Sequence, residues 1–248
     1  KILKTQELAT LPPVAAKVLM LVENENVDIR EISRVVETDP ALTIKLLRVA
    51  NSPLYATYSD ITTVQQAIIN LGLNRLVNIV IGVSIFSKLL LMKDKKSTEI
   101  VEKFWWHSSC TAIVAKALAD KIGFDSKDFE FVGGLLHDIG KLGIPDSILN
   151  KPTELTPEEI AIIKTHPSVG YEMLKKSNRD ILKTAAIISR EHHEKYNGEG
   201  YPNGLSGEDI SIYGRITALA DVFDALSSDR VYRKACDDDY IKKYFSEE

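Results

Sequence analysis

The chain has 248 residues, a formal charge of −4 and 44% hydrophobic side chains. That length can bury one large core or two fused smaller ones, and the slightly acidic balance excludes a general nucleic-acid surface, which needs a basic face. Cys110 and Cys236 have no CxxC partner and no charged-then-apolar leader opens the sequence, so the expected compartment is reducing and cytoplasmic. The most apolar stretch, Leu76 to Met92, is broken by Asn78, Ser84, Ser87 and Lys88; it reads as a buried helix, and no membrane partner is expected.

Along the chain, helix signals follow one another. Thr10-Leu11-Pro12 offers a cap and an early proline, Asp28 with Glu31 a capping-box pattern, and Asp39-Pro40 another start. A longer helix is expected from near Asn74 to Met92, and the polar run Lys93-Asp94-Lys95-Lys96-Ser97 marks an internal boundary. Ser97 is placed to cap an amphipathic helix through Trp105, Trp106, His107, Ile113, Val114 and Leu118, which Gly123 ends. Gly133-Gly134 lets a neighbouring helix approach closely. Thr156-Pro157-Glu158-Glu159 starts a helix that His166-Pro167 should interrupt. The Asp237-Asp238-Asp239 run reads as a solvated tail. With no sustained alternating pattern, the fold class is all-α, a helical bundle.

All five histidines join this pattern. His107, His137, His166 and His192-His193, closed by Asp221, are separated by 30, 29, 26 and 28 residues, about one helix and its return loop each. A bundle with that period brings the same end of successive hairpins together, so these residues and Asp138 are read as ligands converging on divalent metal. Imidazole and carboxylate without thiolate suit Fe, Mn, Zn or Ni. Neighbours in a helix point roughly 100° apart, so each doublet can serve two ions, or one ion and a bridge. Two metals are expected, with Asp138 as the bridging ligand.

The strings around these residues are more specific still. Leu135-Leu136-His137-Asp138-Ile139-Gly140-Lys141, Lys164-Thr165-His166-Pro167, His192-His193-Glu194 with Gly200-Tyr201-Pro202, and Asp221-Val222-Phe223-Asp224-Ala225-Leu226 resemble the HD-GYP family over about residues 97–236. That family belongs to the HD superfamily and comprises metal-dependent phosphodiesterases of bacterial cyclic dinucleotides. Leu11-Pro12-Pro13-Val14, Asp39-Pro40-Ala41-Leu42, Leu46-Leu47-Arg48-Val49-Ala50-Asn51-Ser52 and Ala67-Ile68-Ile69-Asn70-Leu71-Gly72 resemble the HDOD domain, a helical signalling module, over residues 1–96. Residues 237–248 are left as an acidic tail.

The resemblance implies hydrolysis of cyclic di-GMP or a related cyclic dinucleotide, with two transition-metal ions, Fe or Mn favoured. Asp138 and Lys141 take catalytic roles, Lys141 steadying phosphate or protonating the leaving oxygen. Tyr201, Arg230 and Arg233 are substrate contacts, with Asp224 and Asp229 set to orient the arginines or to cap helices. Members with a third metal use a Glu where this chain has Lys103, so two ions are implied. The HDOD-like region implies a signalling partner. Two alternatives stay open: another nucleotide phosphohydrolase or di-iron oxygenase of the HD superfamily, and a non-enzymatic scaffold with structural metals.

Overall fold

Helices begin where a side-chain oxygen can take one of the first free amides of the turn. Asp28 accepts from the Arg30 amide at 2.9 Å and Asp39 from the Leu42 amide at 3.0 Å. Thr63 with Gln66, and Thr156 with Glu159, form reciprocal capping boxes. The computed structural model describes residues 12–22, 28–52, 55, 60–91, 98–125, 128–228 and 234–247. The expected caps Thr10 and Ser97, and the run Lys93–Ser97, lie outside them.

The described helices are α1 (Pro13–Val22), α2 (Ile29–Glu37), α3 (Pro40–Ala50), α4 (Val64–Leu71), α5 (Leu73–Leu91), α6 (Thr98–Lys121), α7 (Phe129–Leu136), α8 (Asp146–Leu149), α9 (Pro157–Ile163), α10 (His166–Leu174), α11 (Asp180–Glu191), α12 (Ile212–Ser227) and α13 (Asp238–Glu247). No strand occurs among the described residues, and the fold is all-α, as the sequence indicates. None of the described helices is long and apolar enough to cross a membrane.

At the centre lies α7, with α5, α6, α11 and α12 packed around it. Its residues from Glu130 to Leu136 are all buried. Phe131, Val132, Leu135 and Leu136 are fully excluded from water, each contributing about 1.5–3 kcal/mol. Gly133-Gly134 permits this crowding: a Cβ on Gly133 would stand 1.9 Å from Ile188 Cδ1 of α11, and one on Gly134 2.7 Å from the Ala112 Cα of α6.

One apolar cluster runs from Ala15 and Val18 through Leu76, Ile79 and Val80 to Val132, Leu135 and Ala185. The core therefore continues past residue 96, joining the helices on either side of the proposed boundary between the HDOD-like and HD-GYP-like sequences. Downstream, Asp238 and Asp239 are exposed but sit in the first turn of α13, where acidic side chains suit the helix dipole. Ile241 of that helix is buried, so this segment is more than a solvated tail.

Candidate metal centre

Five helices and one 3-10 turn deliver the centre. His107 lies within α6, His137 is the C-cap of α7, Asp138 opens the following 3-10 turn (Ile139–Gly143), His166 begins α10, His192 is the C-cap of α11 and Asp221 lies in α12. Gly140 makes the convergence possible, since a Cβ there would stand 1.9 Å from the His166 carbonyl oxygen.

Asp138 stands at the middle, 1% exposed. Its Oδ1 lies 3.1 Å from His166 Nε2 and 3.7 Å from His192 Nε2. Its Oδ2 lies 3.3 Å from His107 Nε2 and 3.5 Å from His137 Nε2, and also accepts from Lys141 Nζ. Asp221 Oδ1 closes the second group, 3.4 Å from His107 Nε2 and 3.8 Å from His137 Nε2. The donor atoms of Asp138, His166, His192 and His193 fall within 4.8 Å of one another, as do those of His107, His137 and Asp138. Ligand bonds near 2.1 Å place neighbouring donors about 3–3.5 Å apart, so this spacing fits a divalent ion.

The hydrogen bonds behind the imidazoles fix which nitrogen faces inward. His107 Nδ1 stands 2.6 Å from Asp224 Oδ2, His137 Nδ1 2.7 Å from the Gly134 carbonyl, His166 Nδ1 2.8 Å from that of Ile163 and His192 Nδ1 2.8 Å from that of Ser189. Carboxylate and carbonyl oxygens only accept, so each Nδ1 carries a proton and each Nε2 faces the centre as the atom that would bind metal. His137 Nε2 and Asp138 Oδ1 are buried without a hydrogen bond, a cost that coordination would remove.

Burial lowers His137 and His192 to about 4 and drives His193 further down, so these rings stay neutral. At His107 burial opposes the charge, but hydrogen bonds to Asp138 and Asp224 and the field of Asp221 push it up to about 9. Burial alone would raise Asp138; Lys141 and the imidazoles hold it well below the usual carboxylate range. The fit is to a divalent metal bound by nitrogen and oxygen.

A family model for the HDOD domain matches residues 8–179. The chain belongs to the HDOD family. Among curated proteins, the cyclic di-GMP phosphodiesterase response regulator RpfG of Xanthomonas campestris is 45% identical to this HDOD chain over 124 residues, 49% of the chain and 33% of RpfG. The 3'3'-cGAMP-specific phosphodiesterase 2 of Vibrio cholerae is 43% identical over 139 residues, 55% of the chain and 27% of the enzyme. The chain thus spans about a third or less of each of these two relatives. A solved HDOD domain protein of unknown function from Geobacter sulfurreducens superposes with a TM-score of 0.62 at 23% identity, covering 88% of this chain and 72% of that one. It shares the fold.

The geometry adds contacts that the sequence does not show. His192 and His193 both bring a donor atom to the group that includes Asp138 and His166, at the C-terminal end of α11. Asp224, expected to orient arginines or cap a helix, accepts from His107; it lies one turn after Asp221 on α12, a spacing that could have revealed it. Lys141 spends its ammonium on Asp138. Tyr201 stacks on His193, centroids 4.8 Å apart, and burial raises its phenol above the ordinary value.

The Tyr201 loop is fastened by Glu194, a residue with no assigned role in the sequence reading. Buried, it accepts from the amides of Asn203 at 2.7 Å and Leu205 at 2.9 Å. A Cβ on Gly200 would stand 2.3 Å from the Lys195 nitrogen. Trp105 is core, edge-on to Phe86, whereas Trp106 is 55% exposed beside Arg48. Lys103 is exposed on α6, one turn before His107. Asp229, Arg230 and Arg233 lie outside the described residues.

Proposed function

We propose that the chain hydrolyses a phosphodiester bond of a cyclic dinucleotide, cyclic di-GMP or a close relative, at a two-metal centre bridged by Asp138. The observation that carries this is the division of the Asp138 carboxylate, each oxygen facing its own set of imidazoles. His107, His137 and Asp221 would hold one ion with Asp138, and His166, His192 and His193 the other. Two such ions supply Lewis acidity, and a nucleophile from water at neutral pH. The relatives' names as cyclic di-GMP and 3'3'-cGAMP-specific phosphodiesterases support the substrate class. Fe or Mn is favoured, with Zn and Ni compatible with the donors. Lys103 in place of a carboxylate supports two ions and no third.

The protein's own groups divide the remaining work. Proton-bearing Nδ1 atoms lock the imidazoles in the ligating tautomer, Asp224 doing this for His107. Lys141 steadies the bridging carboxylate; its role toward a phosphoryl or leaving oxygen is assigned from the sequence resemblance. Tyr201 walls the His193 side, and Arg230 and Arg233 are assigned to the dinucleotide from sequence alone.

The test is metal analysis and turnover on one preparation, purified without oxygen. Two equivalents of metal per chain and linear product from a panel of cyclic dinucleotides are expected, and Asp138→Ala should lose both the second ion and turnover. One ion or none in the unaltered chain refutes the bridged centre. The match to the HDOD family favours a second reading, a scaffold recruiting a signalling partner through its N-terminal helices with structural metals. That reading requires two bound ions with no turnover of any cyclic dinucleotide.

A further inference from the structure

The centre has cations on two sides, and only one is neutralised. Lys141 is bound to Asp138 Oδ2, the oxygen that faces His107 and His137. Lys164 stands on the other side. It closes α9 two residues before His166, is exposed, and holds its ammonium 5.2 Å from the centre of the Tyr201 ring. Tyr201 in turn stacks on His193, and His166 packs 5.0 Å from His193. Among the described residues no carboxylate forms an ion pair with Lys164; its neighbours Glu158 and Glu159 are engaged by Thr156 and Lys151.

We infer that Lys164 is a substrate-binding residue whose ammonium receives the phosphate of the cyclic dinucleotide that is not being cleaved. The inference rests on the phosphodiesterase reading above. A cyclic dinucleotide carries two phosphodiesters in one ring. Only one can lie over the bridging carboxylate and be attacked; the other keeps a full negative charge and must leave water as the ring enters. An ammonium held against a ring face is restrained by a contact weaker than a charge-assisted hydrogen bond, so it can transfer to a phosphate oxygen when one arrives. Lys164 sits where that second charge falls: beside the wall formed by Tyr201, on the His166 and His193 side, with its own charge uncompensated. Lys141 cannot do the same without releasing the carboxylate that both half-sites share.

The experiment compares two substrates on the full metal-loaded chain. Cyclic di-GMP has a second phosphate, whereas bis(p-nitrophenyl) phosphate has one phosphodiester and nothing for Lys164 to hold. Lys164→Ala should raise KM for cyclic di-GMP about tenfold, the loss of one ion-assisted contact, with kcat changed less than about twofold. Lys164→Arg should restore most of that KM, and neither variant should alter kcat/KM for bis(p-nitrophenyl) phosphate by more than about twofold. An unchanged KM for cyclic di-GMP in Lys164→Ala overturns the assignment, as does an equal loss on both substrates, which would report damage to the centre. If the unaltered chain cleaves the small diester but no cyclic dinucleotide, the proposed function itself fails and this inference falls with it.

Discussion

Not every buried charge in this protein serves the metal. Glu130 on α7 is fully buried, and neither carboxylate oxygen has a hydrogen bond. Burial first, and then repulsion from Asp128 and Asp120, push it up to about 7 against the opposing pull of Lys116, whose Nζ lies 3.8 Å away. In the unfolded chain a glutamate titrates near 4.3, so between roughly pH 4.5 and 7 the folded state binds more protons. Stability from this group is therefore full at low pH and falls as pH rises through that window, by about 3 kcal/mol. Glu130→Gln removes the dependence. Urea unfolding of both forms at pH 5 and pH 8 should show the variant gaining on the unaltered chain as pH rises. A constant difference between them would refute the shifted carboxyl. His107, Asp138 and Asp224 show the complementary principle, charges out of water made tolerable by the partners they face.

At the level of elements, α7 sets the geometry because it touches α5, α6, α11 and α12 and ends in His137. Its two glycines are not equivalent. An added methyl at Gly133 meets the side chain of Ile188, which can rotate, whereas one at Gly134 meets the backbone of Ala112 at 2.7 Å to Cα and 3.0 Å to nitrogen. Gly134→Ala must push α6 away from α7, at a cost of about 1–3 kcal/mol. Because α6 carries His107, the same displacement separates it from Asp138. Denaturant unfolding should place Gly134→Ala below Gly133→Ala, and metal titration should find affinity weakened in Gly134→Ala alone. Equal behaviour of the two variants would show that the α6 approach is not limiting.

For the molecule as a whole, the continuous core ties the N-terminal helices to the metal-bearing ones. Arg75 of α5 also forms an ion pair with Asp128 at 3.1 Å, just before α7. Unfolding is therefore expected as one transition, and chelation should lower it as a unit. A ligand that binds only the folded chain stabilises it by about 2.7 kcal/mol when present at a hundredfold over Kd. Calorimetry with and without chelator should show a single peak moving down in temperature; two peaks, only one of them sensitive to chelator, would argue for independent halves. Sequence alone determined the all-helical class, the capped starts at Asp28, Asp39 and Thr156, the break before His166 and the candidate ligand set. These are legible because capping and periodicity act between residues within a turn or two, and because the repeating histidine interval reflects hairpin length. Tertiary structure alone decided how the Asp138 oxygens are divided, why Asp224 faces His107 117 residues away, where His193 turns, and that the core runs past residue 96. Those outcomes depend on contacts between distant helices, whose register is set by close packing at Gly134 and Gly140, and no local pattern encodes that packing.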